Sequence, residues 1–391
     1  MRLECILAVV LLALACDPKK PGPVTFAPVG ELPERAEPPA LLTSFDGAVP
    51  VTDGAGWYDF RRGELKALLT HYVYGAMPSP VAVEVVPQAN VPLLLPGVDY
   101  REYAVNVEQS WLYVAVFSPS GVTRPPVLLG LNKCGNHTLV ADERVRATTS
   151  LVISACDGSR GSQSALWPVA EVVAAGYALA TFHESDAAPD DPARYRDGLI
   201  RSMQVEGSPA ARWGALSAWA YGLSRAVDLL QALDIDTQRI TLVGHSRRGK
   251  AALWAAANDE RVAAVVAHQS GRGGAPLTRD GSGETVELIN SAFPHWFDGV
   301  FPTFAGNERR LPVDQHALLA LVAPRRVLLS EGDDDAWADP QGSKRSLELA
   351  RPVWPLLGAE PESKTRWQTR PGGHEINRED WQRFIAWEKG E

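Results

Sequence analysis

The chain has 391 residues, of which 45% are hydrophobic and 22% charged, and its formal net charge is -9 at pH 7. A sequence of this make-up is globular and long enough to bury a large core. Its acidic balance and lack of any long Lys/Arg block argue against a nucleic-acid partner, since neutralising a phosphate backbone needs a basic face.

Residues 1–16, MRLECILAVVLLALAC, place Arg2 before an apolar run from Ile6 to Ala15. That run is shorter than the roughly 20 residues a membrane-spanning helix needs and reads as a signal peptide. A cysteine directly after small residues is the pattern of a bacterial lipoprotein site, at which Cys16 would be lipidated and hold the protein to the cell envelope. Ordinary secretory cleavage nearby is the alternative. Export leaves Cys134 and Cys156 as an even pair in an oxidising compartment, either bridged or as two buried thiols. Residues 17–40 are rich in proline without periodicity, which reads as an extended tether.

Folded sequence is expected from Leu41, as one domain over 41–391. Apolar or β-branched runs that end in polar or turn residues follow in order: WLYVAVFSP, PVLLGLN, ALATFH, RITLVGHS, VAAVVAHQS and RRVLLSEGD. Such runs read as buried parallel strands. Between two of them Leu216, Trp219, Leu223, Val227 and Leu230 recur at helical spacing. Strand alternating with helix predicts an α/β fold: a mostly parallel sheet with helices on both faces and function at the carboxyl ends of the strands.

Gly244-His245-Ser246 follows one of these strands and precedes an alanine-rich helix, the setting of a nucleophile elbow. The second glycine of G-x-S-x-G comes one residue late, as Gly249, with Arg248 in its place. Gly244 to Lys250 also spells G-x-x-x-x-G-K, the phosphate loop of nucleotide hydrolases, but Ala251 offers no hydroxyl to magnesium.

A serine nucleophile needs a histidine base and an orienting carboxylate, in α/β-hydrolases both downstream. His268 ends a strand, His295 sits among aromatics and His316 opens an apolar stretch, whereas His374 lies in GGHEINREDW, a loop after the last expected strand and before a final helix. His374 is the expected base. For the acid, Gln269 follows one strand but cannot balance an imidazolium charge. Asp333, Asp334 and Asp335 follow the next strand, and spacing does not choose among them.

Together these residues resemble the glucuronoyl esterases, an α/β-hydrolase family of carbohydrate esterases whose elbow reads G-C/H-S-R-x-G-K. The likeness runs from about Trp57 to Trp387 and includes YVYG, GLNKCGNHT, GHSRRGK, GETVELINSAFPHWF, WADP and GGHE. It implies Ser246 as nucleophile, His374 as base and Arg247 as an oxyanion contributor through backbone and guanidinium. It further implies that Lys250 and Glu284 hydrogen-bond sugar hydroxyls and that Trp337 packs on the uronate ring. Fungal members carry glutamate where this chain has Gln269, and some bacterial members place an aspartate before W-A-D-P, which implies Asp335 as the acid. Read without the resemblance, Glu284 is a helix-cap residue, Trp337 a core anchor, and Arg248 a solvent-facing side chain or the partner of an acid.

The expected protein is an exported serine esterase acting on (4-O-methyl-)glucuronate esters between xylan and lignin alcohols, with glucuronoxylan as partner and no metal or cofactor. Two alternatives share parts of this reading. An acetyl-xylan type of carbohydrate esterase has no need of Lys250 and Glu284, and a non-catalytic sugar-binding module has no need of the triad.

Overall fold

A computed structural model describes residues 21–203, 212–279 and 281–391. The expected leader and Cys16 lie outside the described residues. Nine strands form one sheet: β1 (Glu84–Pro92), β2 (Val98–Val107), β3 (Ser110–Pro119), β4 (Val127–Asn132), β5 (Ala178–His183), β6 (Ile240–His245), β7 (Ala264–His268), β8 (Arg326–Gly332) and β9 (Thr365–Arg370). Their order is β1-β2-β3-β5-β4-β6-β7-β8-β9. β4 through β9 pair in parallel, while β1, β2, β3 and β5 pair antiparallel.

The strand alternation sorts the core into two layers, because successive side chains point to opposite faces. Leu128, Leu179, Val243, Val266 and Leu328 face a core closed by Val172 and Val173 of α1 (Val169–Ala174) and by Trp381 and Phe384 of the last helix. Their neighbours Leu129, Ala180, Leu242, Val265 and Leu329 face the other core. That second core is covered by α2 (Ala215–Gln231), α3 (Arg247–Asn258), α4 (Gln315–Ala320) and α5 (Pro340–Ala350); the last helix is α6 (Arg378–Lys389). The stripe of Leu216, Trp219, Leu223, Val227 and Leu230 on α2 is buried throughout. The result is the three-layer α/β-hydrolase arrangement expected from the sequence.

All six expected strands are present, but WLYVAVFSP, expected as parallel, is β3 and pairs antiparallel with both β2 and β5; three more, β1, β2 and β9, carry too much polar sequence to register as buried runs. β2 alternates buried and half-buried residues, as a half-solvated antiparallel strand does. The chain reverses its lateral direction at β4, from β5 on one side to β6 on the other. That switch point opens the crevice at the carboxyl ends.

The proline-rich segment differs from its expectation as a tether. Phe26 stacks on His71 at 4.1 Å between ring centres, and Tyr72 Oη donates to Ala27 O at 2.9 Å. Arg310 donates to Leu32 O at 2.6 Å, Arg279 to Glu37 O at 2.9 Å and His316 to Pro39 O at 2.9 Å, while Leu32 is buried. Prolines remove donors and leave carbonyls, so this stretch is a strip of acceptors that side chains of the domain grip. Packed chain therefore begins well before Leu41. Cys134 and Cys156 form a disulfide with Cα atoms 5.5 Å apart, which sets aside the reading of two free thiols.

Candidate active site

Ser246 caps α3 with φ 58° and ψ −129°, the strained turn of a nucleophile elbow. The turn forces β6 against the start of α3: a Cβ on Gly244 would lie 2.2 Å from Arg248 O, and one on Gly249 would lie 3.0 Å from Gly244 O. The late glycine is thus the one the backbone approaches. Arg248 is tolerated in between because its side chain turns to buried Glu184, at 2.7 and 2.8 Å, not to solvent.

His374 Nε2 lies 2.9 Å from Ser246 Oγ, and its Nδ1 lies 2.7 Å from Asp335 Oδ2. Asp335 is buried, and its other oxygen accepts from Ala338 N at 3.2 Å. Asp333 and Asp334 are exposed. Asp334 accepts from Gly372 N at 3.3 Å, so it braces the histidine loop without reaching the imidazole. Among the run of aspartates only Asp335 meets His374.

The loop that carries His374 is gripped from below. Gln269, buried, donates its amide to Gly373 O, binding the backbone beside the histidine and not the imidazole that its position suggested. His268 Nε2 donates to Glu375 O at 3.0 Å. Arg370 donates to Pro371 O at 2.9 Å and Glu375 O at 2.7 Å, and pairs with buried Asp380 at 2.6 Å. His316, by contrast, binds the N-terminal segment.

The cations behind the serine have separate tasks. Arg247 pairs with Asp190, and its guanidinium carbon lies 4.4 Å and 4.7 Å from the ring centres of Trp296 and Phe293. Asp190 also accepts from Trp296 Nε1 at 2.7 Å and His295 Nε2 at 2.9 Å. Burial pushes the Asp190 carboxyl up, but the His295 hydrogen bond, the Arg247 charge and the Trp296 donor outweigh it and hold it well below the usual carboxylate range. Lys250 is buried and donates to Ser270 O at 2.6 Å. Burial lowers it to about 8, opposed by the nearby Glu284 charge.

Glu284 is 6% exposed; burial raises its carboxyl, against the charges of Lys250, Arg272, Arg247 and His374. It is not the cap of its helix, a role taken by Thr285, whose side chain accepts from Leu288 N. Trp337 is 52% exposed, which overturns its reading as a core anchor and leaves an aromatic face open to a ligand. Its carbonyl accepts from Glu284 N at 3.2 Å, joining the two in one wall.

Asp190 and Glu184, which anchor Arg247 and Arg248, had no signal in the sequence. They follow β5, Glu184 opening a one-turn helix (Glu184–Ala187) and Asp190 lying just beyond it, and only packing brings them to the elbow. Among the described residues no group of His, Cys, Asp and Glu is placed to hold a metal ion.

A family model described as glucuronyl esterase of fungi matches residues 143–358. The chain is 32% identical to the carbohydrate esterase MZ0003 of an unknown prokaryotic organism, over 98% of this chain and 97% of that protein. It is 34% identical to 4-O-methyl-glucuronoyl methylesterase 1 of Phanerochaete chrysosporium, over 48% of this chain and 41% of that one. Among solved structures it superposes on a glucuronoyl esterase from Solibacter usitatus with a TM-score of 0.83 at 31% identity, covering 92% of this chain and 99% of the other. Matches that span nearly the whole chain, on a fold with this elbow at its switch point, make the protein a member of the glucuronoyl esterases, carbohydrate esterase family 15, and hence a carboxylic ester hydrolase.

Proposed function

We propose that this esterase hydrolyses (4-O-methyl-)glucuronate esters in lignin–carbohydrate material through a glucuronoyl-serine intermediate. The observation that carries the reading is the continuous hydrogen-bond line from Ser246 through His374 to Asp335, at 2.9 and 2.7 Å, beside a wall made of Lys250, Glu284 and Trp337. Ser246 Oγ attacks the uronate carbonyl as its proton passes to His374 Nε2, and Asp335 stabilises the imidazolium. His374 returns that proton to the departing alcohol oxygen as the C–O bond breaks. Water, deprotonated by His374, then releases the acid.

The carbonyl oxygen becomes an anion in both steps. The first-turn amide of Arg247, which has no partner within the helix, and its clamped guanidinium are donors for that charge. One such donor contributes about 3 to 4 kcal/mol to the transition state. Lys250 and Glu284 offer a donor and an acceptor to the sugar hydroxyls, and Trp337 a face to the ring. The leader over 1–16 suits export, with lipid attachment through Cys16 as the proposed anchor.

Ser246→Ala is expected to abolish release of alcohol from benzyl and methyl glucuronate while leaving the melting temperature near wild type. Turnover of an acetyl ester in preference to both uronate esters would move the protein to the acetyl-xylan type. Uronate binding without turnover would favour a binding module.

A further inference from the structure

The backbone that presents Glu284 is organised around one buried side chain. Residues 277–279 and 281–284 belong to no helix or strand, so side chains set their path. Arg272, 3% exposed, enters among them: its Nε donates to Glu284 O at 2.7 Å, its Nη1 to Thr278 O at 3.0 Å and to Leu277 O, and its Nη2 to Ser282 O at 3.1 Å. We infer that Arg272 is a positioning residue for recognition of the uronate hydroxyls, acting through the main chain that carries Glu284. The inference rests on the uronate esterase reading above.

Each of these acceptors is a main-chain carbonyl, and the planar fork of a guanidinium fixes their directions relative to one another. The nearby carboxylates are engaged elsewhere. Asp314 pairs with Arg279 at 2.8 Å, while Asp339 accepts from Ser282 N at 3.1 Å, from Ser282 Oγ at 2.9 Å and from Gly342 N at 2.9 Å at the start of α5. A buried cation bonded to carbonyls is costly to hold, and what it adds in return is the shape of this loop. Gly281 leaves the room for it: a Cβ there would lie 2.4 Å from Nη2 and 2.5 Å from Nη1 of Arg272.

The grip reaches the site through Glu284 itself. Its carbonyl is held by Arg272 and its amide donates to Trp337 O at 3.2 Å, so the peptide groups on both sides of its Cα are fixed. The Arg272 charge, after that of Lys250, also opposes the rise that burial imposes on the Glu284 carboxyl, which favours the ionised form as an acceptor for a hydroxyl. A hydrogen bond weakens steeply once its distance and angle are lost, so an acceptor on a loosened loop no longer selects a hydroxylated ring. The hydrogen bonds of Arg272 reach none of Ser246, His374 and Asp335, and the expected effect is therefore on binding of the sugar and not on the chemical step.

The test is the preference for benzyl glucuronate over benzyl tetrahydropyran-2-carboxylate, which keeps the ring and the ester and lacks the hydroxyls. kcat and KM are measured on both esters for the wild type, for Arg272→Met, which keeps the stem and removes the donors, and for Gly281→Ala, whose Cβ displaces the guanidinium, with melting temperatures for each. The ratio of the two kcat/KM values is expected to fall about tenfold in both variants, as for one hydrogen bond lost to a charged group, and to do so mainly through KM for the glucuronate. If Arg272→Met does not fold, Gly281→Ala decides alone. A wild type that prefers glucuronate, with the same preference kept in every folded variant, overturns the inference and leaves the esterase reading standing, even where both esters slow together. A wild type without that preference, or without turnover of either ester, overturns both.

Discussion

Asp333, Asp334 and Asp335 are chemically identical and adjacent, and their surroundings separate them. Asp335 is buried and hydrogen-bonded to His374, so in the proposed mechanism Asp335→Asn removes the charge that balances the imidazolium. It is expected to lower kcat about 10³- to 10⁴-fold, whereas Asp333→Asn, at an exposed position, stays within about twofold; steady-state rates on benzyl glucuronate check both, since losses of this size imply a group acting only in the transition state. Glu331, fully buried on β8, is a residue the chemistry does not use. Burial, with like charge from Asp335 and Asp339, pushes its carboxyl from 4.5 up to about 8. Between those values the folded protein holds a proton that the unfolded chain has released, so stability falls as pH rises through that window. Glu331→Gln is expected to flatten the decline in unfolding free energy between pH 5 and pH 9, by an amount on the order of a few kcal/mol at the alkaline end; equal declines in both proteins, by chemical denaturation, would remove Glu331 as its source.

The element that holds the proposed base is the loop from β9 to α6. It has no regular hydrogen bonding of its own, so its shape is imposed by Gln269, His268, Asp334 and Arg370, which hold its backbone at Gly372, Gly373 and Glu375. Arg370 also pairs with Asp380 inside the capping box that starts α6, tying the histidine loop to the helix after it. Arg370→Ala leaves the Asp380 carboxylate buried without its cation, a change that costs about 3 to 5 kcal/mol. Chemical denaturation is expected to report that loss, and kcat to fall with it as His374 drifts from Ser246.

At the scale of the whole molecule, the segment over 22–40 is part of the domain and not a spacer. Its carbonyls at Leu32, Glu37 and Pro39 take donors from Arg310, Arg279 and His316, and burial of Arg279 against Asp314 at 2.8 Å leaves that guanidinium oriented for the strip. A protein that starts at Leu41 is expected to melt several degrees lower than one that starts at Gly22, with the triad distances untouched and activity at low temperature retained. Equal melting temperatures would restore the tether. The proline content that suggested a tether is the same property that makes the strip a set of acceptors, and composition alone does not distinguish the two.

Local pattern was enough to determine the six buried strands, the buried stripe on α2, the elbow at Ser246 and the loop position of His374, because each depends on residues within a turn or a strand of one another; that β3 pairs antiparallel was not legible there. What remained for tertiary structure was every choice between similar groups at long range. Ser246 and His374 are separated by 128 positions, and His374 and Asp335 by 39; burial and distance, not residue type, distinguish Asp335 from its neighbours. The same holds for Glu284 and Trp337, whose alternative readings as cap and core anchor are locally sound and fail only against Thr285 and the open face of the indole. Asp190 and Glu184 were invisible because an acidic residue just after a strand is ordinarily solvated, and only the packing of that segment against α3 gives each one a guanidinium to hold.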